Sequence, residues 1–224
     1  MTTASRPRIL VVIGTPLPDS LNHALASAYV DAARAEGAEV DVIDLAHDPI
    51  PDHPRTRGEL RAPRDGRDDL PLDEDVAEDL ARVEGADEIV LLFPQWWGLY
   101  PAALKSWLDR VLLSGAAFTP HAAGRGWDKH LKGRTARIVM TMDSPTWWNR
   151  WFYRDAAVTA LRNATLWYVG IRTLGVTRVA EVKHSSPAAL TRSIARMARL
   201  GTADARRAPR VNAGRRPAHL ADAR

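Results

Sequence analysis

Residues 89 to 118, IVLLFPQWWGLYPAALKSWLDRVLLSGAAF, leave little freedom in how this chain can fold. Ile89, Val90, Leu91, Leu92 and Phe93 form an unbroken apolar run, the pattern of a strand covered on both faces. Pro94 lacks the N–H that a ladder needs and ends that strand. Gln95 to Tyr100 then make an aromatic loop, and Pro101 opens a helix with its pre-set φ. In that helix Leu104, Trp107, Leu108, Val111 and Leu112 recur at the spacing of one apolar face. Strand, loop and helix in this order predict a unit of a parallel sheet. Loops at the C-terminal ends of such strands are where open α/β sheets bind ligands.

Phe93, Pro94, Trp97, Pro101, Ala102, Leu104, Lys105, Trp107, Asp109, Arg110 and Val111 spell FPxxWxxxPAxLKxWxDRV. Two tryptophans beside an apolar strand would, alone, be read as core or interface. With the continuation PAxLKxW, the stretch resembles the core motif of the flavodoxin-like NAD(P)H:quinone oxidoreductases. The resemblance covers about residues 8 to 182.

The remainder of the chain supplies the other units. Arg8 to Ile13 reads as a first, central strand, Leu21 to Glu36 as a helix ended by Gly37, and Val40 to Leu45 as a second strand. Asp73 to Val83 reads as a helix and the Gly-rich segment after Phe118 as a loop. Ala136 to Met142 reads as a fourth strand followed by a loop, Thr141 to Asn149, that is a second candidate wall of the pocket, and Asp155 to Tyr168 as a helix. Gly170 and Gly175 mark a turn, Thr177 to Val182 a fifth strand and Pro187 to Leu200 a last helix. The expected fold is α/β, a flavodoxin-like doubly wound sheet of five parallel strands in the order 2-1-3-4-5. Residues 1–200 make one domain, with a Pro-, Asp- and Arg-rich surface excursion over 46–75. Residues 201–224 are expected to be a basic tail with little to bury. Six Arg against two Asp there account for the whole net charge of +4. The body is neutral, so no nucleic-acid face is expected.

Absence of cysteine removes disulfides, thiolate nucleophiles and Cys-based metal sites. No run reaches the roughly 18 apolar residues of a membrane span, and MTTASRPR lacks the apolar core of a signal peptide. The expectation is a cytoplasmic protein. His47 and His53 lie among prolines without a metal-binding frame and read as solvated, so no metal site is expected.

The loop from Gly14 to Asn22 is the natural anion site: Thr15, Ser20 and backbone N–H groups stand at a helix N-terminus. Read alone, Ser20 serves equally well as a helix cap. No GxGxxG is present, which argues against a Rossmann dinucleotide site. The resemblance implies more. Ser20, Leu21 and Asn22 match the family's SxN element, which holds the phosphate or pyrophosphate of bound FMN or FAD. The aromatic loop, Pro94, Gln95, Trp96, Trp97 and Gly98, would bind the pyrimidine edge of the flavin, with Trp97 or Trp96 flanking the ring. Thr141, Met142 and Asp143 stand where relatives often carry TTGG, and the missing glycines make this the weakest match. Tyr153 and His184 are candidate proton donors outside any matching frame.

By the same resemblance NAD(P)H is the electron donor. The acceptor is a quinone or similar flat molecule, reduced by two electrons in ping-pong order. Trp96, Tyr100, Trp147, Trp148 and Trp151 are more large aromatics than one small domain is expected to bury. A homodimer is therefore expected, while Trp147, Trp148, Trp151, Phe152 and Tyr153 read equally as a pocket lid or the dimer interface. Two other functions fit the same fold. One is a regulatory flavoprotein subunit of a cation-efflux transporter, which would bring membrane association; the other is a flavodoxin-like electron carrier. The neutral body counts against the carrier, a class that is usually acidic.

Overall fold

In the computed structural model the described residues are 6–63, 71–122 and 124–207. β1 (Arg8–Ile13), α1 (Leu21–Ala35) and β2 (Glu39–Asp44) come first, then α2 (Glu74–Gly85), β3 (Glu88–Pro94) and α3 (Ala102–Val111). A short antiparallel hairpin, β4 (Phe118–Pro120) and β5 (Trp127–Lys129), precedes β6 (Thr135–Thr141) and α4 (Thr146–Trp151). α5 (Ala156–Thr159), a π-helical stretch (Ala160–Leu166) and α6 (Trp167–Val169) run together into β7 (Arg172–Val179). α7 (Pro187–Ala205) is the last helix of the described chain. The main sheet is parallel in the order β2-β1-β3-β6-β7, which is the expected 2-1-3-4-5 once the hairpin is set aside.

Strand residues alternate between two cores. Leu10, Val12, Leu91, Phe93, Ile138 and Met140 face α2 and α3, packing with Leu80, Val83, Leu104 and Trp107. Ile9, Val11, Ile13, Val90, Leu92 and Val139 face α1 and α7, packing with Leu25, Tyr29, Ala33 and Met197. Burial on both faces is why β1, β3 and β6 read as continuous apolar runs.

The structure corrects the expected elements in five places. β7 begins five residues before the expected Thr177, and Gly175 lies inside it, opposite Arg137 across a bulge. A Cβ at Gly175 would stand 3.0 Å from the Arg137 guanidinium, so this glycine marks a close approach and not a turn. The Gly-rich segment after Phe118 contains the β4–β5 hairpin. It is held down by Trp127, stacked on Tyr168 at 4.4 Å and donating to its carbonyl at 2.7 Å. The loop after the fourth strand holds a helix, α4. Leu161 and Leu166, spaced by five, are both buried because the backbone between them is π-helical. α7 runs past Leu200 to Ala205, where Asp204 is 1% exposed, so residues 201–207 belong to the folded domain. Residues 208–224, the remainder of the expected tail, lie outside the described residues.

The excursion is tied to α3. Arg110 donates to the Asp52 carbonyl at 3.0 Å and pairs with Asp73 at 2.7 Å, while Ser106 donates to the Pro51 carbonyl.

Candidate active site

β1 feeds α1 on one face of the sheet and β3 feeds α3 on the other. The two loops therefore part at the C-terminal ends of adjacent strands, and this divergence opens the crevice of a doubly wound sheet.

Gly14 starts the first loop, its N–H donating to the Leu92 carbonyl at 2.7 Å. A Cβ there would lie 2.7 Å from Leu104, so the loop turns against a residue of the FPxxW…DRV motif. Thr15 is buried, and its Oγ1 accepts the Leu17 N–H. Ser20 is the extended N-cap of α1. Its N–H donates to His23 Nδ1 at 3.2 Å, and its Oγ lies 2.8 Å from the same nitrogen. The first N–H groups of a helix have no partners within it, so Leu21 and Asn22 present an anion-seeking end. Asn22 is 2% exposed and donates through Nδ2 to Thr141 Oγ1 at 3.1 Å. Its buried Oδ1 has no hydrogen-bond partner among the described residues. Thus the structure brings Thr15, Ser20, Leu21, Asn22 and Thr141 together.

The second loop is tied to the same strand end, the Gln95 N–H donating to the Thr141 carbonyl at 2.7 Å. Trp96 and Leu99 exchange backbone hydrogen bonds of 2.8 and 2.9 Å, with Trp97 and Gly98 between them at φ of 50° and 78°. Two successive positive φ angles make a type I′ turn, which Gly98 adopts freely and a tryptophan does not. The turn presents the Trp97 side chain wholly to solvent, at 102% relative exposure. An outlier of this kind is kept where the surroundings hold it, and such strain clusters at functional sites.

α4 closes over this turn. Gln95 Nε2 donates to Asn149 Oδ1 at 2.6 Å, and Asn149 Nδ2 to Asp155 Oδ1 at 2.7 Å. Asp155, itself at φ 53°, is gripped by the guanidinium of Arg178 on β7. The Tyr153 ring lies against Gly98, 3.6 Å from where a Cβ would sit. Asn149 was expected only as the end of the loop that walls the pocket, and Asp155 and Arg178 were not expected at the site. Their only trace in the sequence is a polar residue inside the run TWWNRWFY, and nothing local links Asn149 to Arg178. Thr141 is buried, as is Met142, whose N–H and C=O are both taken, by Val179 and Val182. Asp143 accepts the Lys183 N–H at 2.9 Å. Met142 and Asp143 thereby fasten the third loop to the chain beyond β7. His184, in the exposed turn Val182–His184, shares that tether.

Much of the motif is scaffold. Trp107 Nε1 donates to Asp79 Oδ2 at 2.8 Å in the core, where burial pushes the Asp79 carboxyl up. Arg110 holds the excursion, and Lys105 and Asp109 pair on the surface.

The donor set suits a flavin. A helix N-terminus meets a phosphate, the unpartnered Asn22 Oδ1 can accept a hydrogen bond, and a fixed loop of amides carries an exposed indole. A profile of the flavodoxin-like fold matches residues 7–200. NAD(P)H dehydrogenase (quinone) 1 of Cavia porcellus is 33% identical over 129 residues, covering 52% of this chain and 46% of that protein. An FMN-dependent NADH:quinone oxidoreductase of Shewanella denitrificans is 30% identical over 141 residues, covering 60% and 68%. The chain spans about half the length of several of the curated relatives it matches, including the Cavia enzyme. Among solved structures, a putative quinone reductase from Klebsiella pneumoniae superposes with a TM-score of 0.73 at 23% identity, over 89% of this chain and 85% of that one. With this fold, this motif and these relatives, the chain belongs to the flavodoxin-like NAD(P)H:quinone oxidoreductase family.

Proposed function

We propose that the protein is a flavin-dependent NAD(P)H oxidoreductase that reduces quinones or similar flat acceptors, with FMN as its cofactor. The observation that carries this reading is Asn22. A buried amide is fixed between the first turn of α1 and the end of β6, with one oxygen unpartnered. A buried acceptor left unsatisfied costs about 1–3 kcal/mol, and a bound ligand can supply the missing donor.

In this reading the N–H groups of Leu21 and Asn22 and the Ser20 hydroxyl hold the phosphate. Pro94, Gln95, Trp96 and Gly98 orient the pyrimidine edge, and Thr141 sits beneath with Met142 and Asp143 as its frame. A flavin held there would supply the two-electron hydride chemistry between NAD(P)H and the acceptor. Trp97 would flank the ring. With one face so covered, donor and acceptor would use the other in turn, the basis of the proposed ping-pong order. Tyr153, 39% exposed and against Gly98, is in this reading the proton donor to the product.

A second copy of the chain completes the site. Trp97, Leu99, Trp147, Trp151 and Phe152 are all exposed around the same mouth, an apolar surface suited to an isologous interface. Light scattering at micromolar concentration is expected to give a dimer; a monomeric mass with flavin bound refutes it. For the function itself, FMN and FAD are titrated into the protein and the visible spectrum recorded, with NAD(P)H oxidation measured against a quinone. Failure to bind either flavin would sink the reading.

A further inference from the structure

His23, Asp44 and His47 converge beside the first loop, although 24 residues separate the two imidazoles in sequence. His23 stands on the first turn of α1, and Asp44 is the last residue of β2. His47 is on the turn that follows. His23 Nε2 lies 3.2 Å from Asp44 Oδ1, and His47 Nδ1 lies 2.9 Å from Asp44 Oδ2. The three ligand atoms fall within 4.8 Å of one another. From this geometry we infer a binding site for a divalent transition-metal ion of the zinc class, with His23, Asp44 and His47 as ligands.

Bonds of about 2.1 Å in a tetrahedron put ligand atoms about 3.4 Å apart. The His23–Asp44 spacing meets that already. Closing the third side requires only His47 to swing, and its side chain is 62% exposed. Two imidazoles and one carboxylate are a borderline donor set, which selects zinc, nickel or copper over magnesium and calcium. The carboxylate is oriented before any ion arrives: Asp44 Oδ1 accepts the Ala46 N–H at 3.0 Å, and the Asp44 N–H donates to Asp48 Oδ2 at 2.6 Å. The second shell of His23 is in place as well. An ion on Nε2 requires the proton on Nδ1, which then donates to Ser20 Oγ, 2.8 Å away, and the Ser20 N–H gives up its 3.2 Å contact with that nitrogen. Three protein ligands leave a fourth position open to water. Occupancy would pin the exit of β2 to the first turn of α1. The site rests on these three residues alone and holds whether or not a flavin binds next door.

The test is titration of the full chain, stripped with chelator, with Zn2+ by calorimetry and with Co2+ by visible absorption. One ion per chain is expected, with the d–d bands of a four-coordinate site. Because the chain has no cysteine, these bands carry no thiolate contribution. His47→Ala, at an exposed position, is expected to weaken Zn2+ binding tenfold or more with an unchanged melting temperature in chelator. His53→Ala and His184→Ala are expected to change the affinity by less than twofold. Excess Mg2+ should not displace the ion. Zn2+ affinity unaltered in His47→Ala, equal loss in His184→Ala, or no binding at millimolar Zn2+ would each overturn the assignment.

Discussion

Ser20 and Trp97 occupy opposite walls of the crevice, and each should fail in its own way. The Ser20 hydroxyl is a candidate donor to a charged phosphate, worth roughly 1.5–3 kcal/mol. Ser20→Ala is therefore expected to weaken flavin affinity about tenfold to hundredfold, with the saturated turnover nearly unchanged. As an N-cap the same substitution costs about 1 kcal/mol of stability. Affinity measured by fluorescence titration, alongside a thermal melt, separates the two. Trp97 is fully exposed at a positive φ, so its side chain contributes no core packing to the free chain. Trp97→Gly relieves a left-handed strain of order 1–3 kcal/mol and is expected to hold or raise the melting temperature. If the indole positions the ring, flavin reduction in stopped flow should nevertheless fall by about 10²-fold. An unchanged reduction rate in Trp97→Gly, together with unchanged flavin affinity in Ser20→Ala, would place the site elsewhere.

Helix packing sets how much of this site a sequence can disclose. β1, β3 and β6 were legible because burial on both faces leaves nothing but apolar residues in a row. The first turn of α1 and the aromatic loop were legible through the motif. What stayed hidden depends on contacts between distant segments. The Asn149–Asp155–Arg178 chain joins α4, the turn after it and β7, and no local period records it. Gly175 reads as a turn until its partner, Arg137, is known. Gly201 is a similar case. A Cβ there would lie 2.2 Å from the Tyr29 carbonyl oxygen, so α7 meets α1 backbone to backbone and can do so only through glycine. Gly201→Ala should therefore destabilise the protein, although alanine is the better helix former. Overpacking of this kind costs typically about 1–3 kcal/mol, read from urea unfolding. Unchanged stability would mean that α7 slides along α1 at no cost.

Beneath the sheet, at the end opposite the crevice, the chain buries a charged cluster that joins its C-terminal helix to the core. Arg137 on β6 donates two hydrogen bonds of 2.7 Å to Asp204, which also accepts from Tyr29 at 2.9 Å. Arg207 reaches Glu88 at 2.8 Å and Asp204 at 3.1 Å. Ending the chain after Ala203 would strand Arg137, and breaking a buried pair by removing one partner costs about 3–5 kcal/mol. Burial first, and then the nearby Asp204 charge, push the Glu88 carboxyl up from 4.5 to about 8, against the pull of Arg207 and Arg137. A protonated Glu88 can donate to Asp204, and its Oε1 has no other hydrogen-bond partner among the described residues. Between about pH 4.5 and about pH 8 the folded chain thus holds a proton that the unfolded chain has released. The stability from this group is complete below the lower value, declines as pH rises and is gone above the upper one. Unfolding by urea across pH 5 to 9 should show that decline, and Glu88→Gln, which stays neutral and can still accept from Arg207, should flatten it. A variant with the same slope as the parent would mean that Glu88 is ionised throughout and held so by Arg207.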